Sequence, residues 1–166
     1  SHLTGWERDS LMTHYDDEIT SELFNEIEKL YQLYAVDHEP LEYILWYVEY
    51  GGLRFSVNKN TIIPRPETEY MIEAVREYLQ WKMKNEEWKI ILVDVGTGSG
   101  VLGLSILHSQ GSQIDQAFLI DISEGALAVA KGNYESLVKN GDINDGIDVT
   151  ASLGNLFDNW VIKNTN

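Results

Sequence analysis

Residues 90–100 run Ile-Ile-Leu-Val-Asp-Val-Gly-Thr-Gly-Ser-Gly, an order that calls for a strand, a tight turn and a helix in succession. An apolar run rich in β-branched residues reads as a buried strand. Glycines directly after it let the chain turn sharply while backbone N–H groups approach a ligand. A second apolar run, Ala117-Phe118-Leu119-Ile120, ends in Asp121. That acid falls about 20 residues past the loop, where parallel sheets place a carboxylate against a ribose. The two features outline a site for a nucleotide-type ligand.

The flanking pattern supplies the architecture. Strands are expected over residues 89–95 and 116–121, with helices from about Ser99 to His108 and from Ser123 to about Lys139. This βαβα alternation implies a parallel sheet. Weaker strands are expected at residues 147–151 and 160–163. Upstream, Ile19, Leu23, Ile27, Leu30, Leu33 and Tyr34 recur every three or four positions, predicting an amphipathic helix over residues 16–36 capped by Asp16 or Asp17. A short helix from Pro40 through Trp46 should turn Tyr43, Ile44 and Trp46 inward. Gly51-Gly52 then breaks the pattern, and Leu53, Phe55 and Val57 alternate with polar residues as in a hairpin strand, closed by a turn at Asn58-Lys59-Asn60. A third helix should start at Pro66, with Glu67 and Glu69 near its positive end, and run to about Met83. The expected organisation is a helical region over residues 1–47, a β-hairpin linker over 48–64, and a partial Rossmann-like domain over 65–166.

Composition removes several function classes. The chain has 166 residues and a formal charge of −15, which disfavours nucleic acid, because affinity for a phosphate backbone rests on clustered Lys and Arg. With no cysteine there is neither a disulfide framework nor thiolate chemistry. No stretch is long and apolar enough to span a bilayer, and no basic-then-apolar leader follows Ser1-His2, so the expected compartment is the cytoplasm. His2, His14, His38 and His108 lack metal-ligand spacing.

The loop itself fits two cofactor classes. Gly98-Ser99-Gly100-Val101-Leu102-Gly103 satisfies the dinucleotide fingerprint, in which a helix N-terminus receives a pyrophosphate. S-adenosylmethionine has no phosphate, and there the glycines let its methionine and ribose lie against the backbone. Asp94 opposes a pyrophosphate but favours the amino or sulfonium group of the methyl donor. The plainest alternative is a turn that only joins a strand to a helix. Likewise Asp121 serves either a ribose or the start of the next helix, where Ser123 already offers a cap.

A further stretch is more restrictive. Ile62-Ile63-Pro64-Arg65-Pro66-Glu67-Thr68-Glu69 resembles the signature of HemK-type protein-(glutamine-N5) methyltransferases, which modify peptide chain release factors. Glu39-Pro40-Leu41-Glu42-Tyr43-Ile44-Leu45 resembles the end of that family's helical N-terminal domain, and Gly52-Leu53-Arg54-Phe55-Ser56-Val57 its linking hairpin. Asp94-Val95-Gly96-Thr97-Gly98-Ser99-Gly100, and Asp121-Ile122-Ser123 with Ala126-Leu127, resemble its cofactor motifs in order. The resemblance implies a class I methyltransferase fold, S-adenosylmethionine as cofactor, and the glutamine of a release factor Gly-Gly-Gln motif as acceptor. It places Asp94, Gly96, Thr97, Gly98, Ser99, Gly100, Asp121 and Ile122 against the cofactor, and Leu156 near the adenine. Arg65, Pro66, Glu67 and Glu69 would flank the pocket. By the same resemblance, Trp46 stands where the family often has glycine.

The family's acceptor motif, Asn-Pro-Pro-Tyr, does not occur in the chain. Asn164 follows Trp160-Val161-Ile162, but Thr165 and Asn166 are not prolines, so no catalytic residue is assigned. An amide nitrogen is a poor nucleophile, and its methylation depends on orientation and charge stabilisation. The expectation is therefore an N-terminal portion or one part of a split protein, binding cofactor better than it transfers methyl groups. The first strand's free edge would then invite self-association or pairing with a C-terminal portion. The alternative is a non-catalytic module that binds S-adenosylmethionine or a partner protein. A nicotinamide-dependent oxidoreductase has no use for the proline-arginine signature.

Overall fold

A computed structural model describes residues 10, 13, 14, 16–83 and 90–155. The chain divides into two compact units between Trp46 and Tyr47.

In the smaller unit, α1 spans Ser21–Tyr31 and continues as a wider π-type turn over Gln32–Val36. Its cap is Thr20, whose Oγ1 accepts the Leu23 N–H at 3.2 Å, so the helix starts later than an Asp16 or Asp17 cap would have it. Asp17 is engaged elsewhere, its Oδ2 lying 2.6 Å from His14 Nδ1. Helix α2 covers Leu41–Leu45 behind Pro40. Ile44 is buried and Tyr43 half-buried, but Trp46 is 63% exposed, contrary to its expected inward packing. Trp46 ends α2 in a left-handed conformation, φ +65°, which redirects the chain toward the next strand.

The larger unit opens with an antiparallel hairpin, β1 Tyr47–Tyr50 and β2 Leu53–Ser56. Its turn residues Gly51 and Gly52 both have positive φ, +56° and +80°, the handedness that matches a twisted two-residue hairpin. Leu53, Phe55 and Val57 are buried while Arg54 and Ser56 face solvent, as their alternation predicts. Arg54 pairs across the strands with Glu49 at 3.2 Å. Phe55, fully buried, joins one core with Leu79, Leu104, Leu107 and Leu119. Burying a side chain of that size stabilises by about 1.5–3 kcal/mol. The hairpin is thus packed into the larger unit.

Helix α3, Thr68–Met83, starts two residues after Pro66, which with Glu67 forms the turn before it. Then follow β3 Ile90–Val95, α4 Val101–Gln110, β4 Ile114–Asp121, α5 Glu124–Asn140 and β5 Asp148–Leu153. The three strands are parallel in the order β3-β4-β5. Central β4 buries Ala117, Phe118, Leu119 and Ile120 without alternation, as a strand covered on both faces does. Helix α4 is buried along most of its length, while α5 turns Ala126, Leu127, Ala130, Asn133 and Leu137 to the sheet. Among the described residues β3 is paired on one side only, and Ile91 is 48% exposed. The expected strand at residues 160–163 lies outside the described residues.

Candidate functional site

Parallel strands bring their C-terminal ends to one side of the sheet, and ligands of such sheets sit in the crevice there. The register pairs Asp94 with Leu119 and Val95 with Ile120, so the glycine loop after β3 and Asp121 at the tip of β4 arrive side by side. A cavity of about 570 Å³ opens between them, and residues 60–65 form its other wall.

The loop is built on alternating left-handed glycines: Gly96, Gly98 and Gly100 have φ of +74°, +57° and +83°. A Cβ would be strained at each. Four of its N–H groups are engaged by the protein itself. Those of Gly96 and Thr97 donate to the Ile120 carbonyl at 2.8 and 2.9 Å, and that of Gly100 to the Thr97 carbonyl at 2.8 Å. The Gly98 N–H donates to Asp121 Oδ2 at 2.8 Å.

Asp94 is 7% exposed, and its Oδ2 accepts the Thr97 hydroxyl at 2.8 Å and the Gly103 N–H at 3.0 Å. Burial pushes its carboxyl above the usual carboxylate range; the two hydrogen bonds oppose that rise, and the nearby charge of Asp121 adds to it. Asp94 therefore anchors the loop while also lining the cavity. Asp121 divides its oxygens, Oδ2 to Gly98 and Oδ1 to the Ser123 N–H at 3.0 Å. Ser123, not Asp121, caps α5, its Oγ accepting the Ala126 N–H at 3.2 Å. Each Asp121 oxygen keeps a second lone pair for a further donor such as a ribose hydroxyl.

The opposite wall is tied to the hairpin. Tyr50 donates its hydroxyl to the Arg65 carbonyl at 2.9 Å and to that of Pro66 at 3.3 Å. Burial raises the Tyr50 pKa, which keeps that hydroxyl a donor.

Of the residues expected at the site, Asp94, Gly96, Thr97, Gly98, Ser99, Asp121, Ile122 and Arg65 line the cavity. Gly100 does not: it turns the chain into α4, with Leu104 directly behind it. Pro66 and Glu67 lie in the turn past the wall, and Glu69 lines a different cavity, beside Tyr50 and between α3 and α4. Leu156 and Asn164 lie outside the described residues. Asn60, Thr61, Met71 and Leu102 also line the cavity without being expected there, and two further contributors lie outside the lining. Gly103 belongs to the fingerprint spacing, but its contact with Asp94 shows only in three dimensions. Asn133, on α5, donates a side-chain amide N–H to the Ser99 carbonyl of the loop at 2.8 Å.

Parallel order, glycine loop and strand-tip acid together define a Rossmann-like fold, and similarity to curated methyltransferases makes it that of class I methyltransferases. Residues 1–45 match the PrmC N-terminal domain. Release factor glutamine methyltransferases align along most of the chain. That of Enterococcus faecalis is 32% identical over 80% of this chain and 45% of its own length. That of Neisseria gonorrhoeae is 34% identical over 95% and 51%, and that of Clostridium acetobutylicum 39% over 72% and 41%. The solved structure of Trm5b from Pyrococcus abyssi covers 65% of this chain and 28% of its own, at 14% identity and a TM-score of 0.42, a likeness too slight to add to the topology. By sequence the chain is similar along most of its length to release factor glutamine methyltransferases, and it spans about half the length of the curated relatives it matches.

Proposed function

We propose that this chain holds the S-adenosylmethionine site of a protein-(glutamine-N5) methyltransferase whose acceptor is the Gly-Gly-Gln glutamine of a peptide chain release factor. The observation that carries the cofactor is the state of the glycine loop. A pyrophosphate needs free N–H groups, yet those of Gly96, Thr97, Gly98 and Gly100 are bonded within the protein. The same cavity is lined by the Asp94 carboxylate, which opposes a pyrophosphate and favours a cationic ligand. Its volume lies within the usual range for small-ligand sites. S-adenosylmethionine would supply an electrophilic methyl group on a positively charged sulfur. Asp121 would receive its ribose, and Asp94 would hold the loop and favour its positive end.

Among the described residues no helix is long and apolar enough to cross a membrane. The working compartment we propose is the cytoplasm, with a release factor as partner and no direct contact to nucleic acid. The competing reading is a non-catalytic module that binds S-adenosylmethionine or a partner protein.

Calorimetric titration with S-adenosylhomocysteine and with NAD tests the cofactor: only the former should bind. Binding of NAD alone would sink the methyl-donor reading. Tritiated methyl transfer to a release factor then separates the two functions. This chain alone, and this chain supplemented with the C-terminal half of a curated relative, should differ, with transfer only in the supplemented sample. Tight cofactor binding without transfer in either sample would favour the non-catalytic module.

A further inference from the structure

Asn133 lies on α5, 1% exposed, and every N–H of its side-chain amide is engaged. Its Oδ1 accepts the Ser56 N–H at 2.7 Å and its Nδ2 donates to the Ser56 carbonyl at 3.0 Å. A neighbouring strand exchanges the same pair of bonds with a residue opposite. The second Nδ2 hydrogen goes to the Ser99 carbonyl, 2.8 Å away, in the middle of the glycine loop. One primary amide thus joins the end of β2 to the loop.

Those two attachment points lead to the two walls of the cavity. Ser99 is part of one, and the chain leaving Ser56 becomes the other at residues 60–65. Helix α5 holds this second wall again in its first turn. Gly125 lies so close to Asn60 that a Cβ there would come within 2.7 Å of the Asn60 side chain. Asn133 is not among the cavity-lining residues, so it acts on a ligand only through what it holds. No other side chain of its size combines one acceptor and two donors in a plane.

We propose that Asn133 is a positioning residue that sets the spacing between the glycine loop and the wall following β2, and thereby the fit of the cofactor. This rests on reading the cavity as the S-adenosylmethionine site, and the test keeps the two claims apart.

The variants are Asn133→Ala, Asn133→Asp, which keeps the shape and the acceptor but loses both donors when ionised, and Leu137→Ala. Leu137 is 1% exposed on the same helix and belongs to the core, so its truncation destabilises without untying the loop. Affinity for S-adenosylhomocysteine is measured where each variant is folded by circular dichroism, and ¹⁵N spectra report the amides of Gly98, Ser99 and Gly100 in the ligand-free protein. Both Asn133 variants should bind at least about tenfold more weakly and shift those amides, with Leu137→Ala within about twofold of the parent. Equal losses in Leu137→Ala and Asn133→Ala, or affinity unchanged in the Asn133 variants, would overturn the proposal. If the parent binds no S-adenosylhomocysteine, the cofactor reading fails, and the loop amides still decide: unshifted amides in the Asn133 variants refute the positioning role, shifted ones support it. Should Asn133→Ala not fold, Asn133→Asp decides by the same criteria.

Discussion

Gly103 and Asp94 are in direct contact: the Gly103 N–H donates to Asp94 Oδ2 at 3.0 Å, and a Cβ at Gly103 would meet that oxygen at 2.8 Å. Leu119 Cδ2 would stand 2.9 Å from the same Cβ, so the contact is closed on both sides. Gly103→Ala should cost about 1–3 kcal/mol through overpacking and weaken S-adenosylhomocysteine binding by displacing the carboxylate. Urea denaturation and calorimetry read both effects. An unchanged midpoint would show that α4 shifts to admit the methyl group.

Asp94 also gives stability a pH dependence of definite sign. Its folded pKa is raised by burial, above an ordinary value of about 3.9, so between the two values the folded state holds a proton that the unfolded state has released. Its contribution is largest at acid pH, falls as pH climbs from about 4 through the raised value, and levels off above it. Asp94→Asn keeps an oxygen for Thr97 and Gly103 but does not titrate. The difference in stability between variant and parent should therefore grow in the variant's favour across that window. Parallel stability curves would remove Asp94 as the source.

Asp121 has two duties, and its truncation should expose both. Asp121→Ala removes the acceptor for the Gly98 and Ser123 N–H groups, and S-adenosylhomocysteine binding should weaken by about 1–3 kcal/mol. The Gly98 amide should exchange faster with deuterium even without ligand. Full affinity in the variant would take Asp121 out of the site.

Trp46 holds a left-handed conformation, φ +65°, with its ring 63% exposed. A non-glycine residue pays about 1–2 kcal/mol there, while glycine loses more backbone entropy on folding. Trp46→Gly should raise stability by about 0.5–1 kcal/mol on balance. A lower thermal midpoint would mean that the ring makes contacts worth more than the strain.

The side of β3 that pairs with no strand among the described residues is expected to recruit another strand, from a second copy or from the C-terminal half of a relative. Ile91→Lys should lessen association, because charge on an edge strand opposes pairing. Sedimentation of the parent as a stable monomer at micromolar concentration would count against this.

Local pattern was enough for much of the fold. The alternation of Leu53, Phe55 and Val57, the βαβα order and the Ser123 cap depend on neighbours in sequence, and all three appear in the structure. The start of α1 was misjudged because Asp16, Asp17 and Thr20 are chemically equivalent cap candidates; His14 engages Asp17 and leaves Thr20 to cap. For Trp46, hydropathy favours burial, whereas the structure gives it a left-handed backbone and an exposed ring. At the site, Asp94, Asp121 and the glycines were legible from strand-end positions. Gly100 turned out to serve the helix. Asn133 was invisible because its partners are 77 and 34 residues away, a distance no periodicity reports.

A loop that already engages the N–H groups of Gly96, Thr97, Gly98 and Gly100 within its own chain has fewer donors to offer a phosphate. Adenosine is shared by many abundant metabolites, and recognition of that half alone would leave the cavity open to all of them. On the proposed reading, discrimination would come from what stands beside the adenosine: Asp94 sets a negative charge where a nucleotide would bring its own. Such selectivity would be fixed when the chain folds, before any ligand arrives, and would work by exclusion.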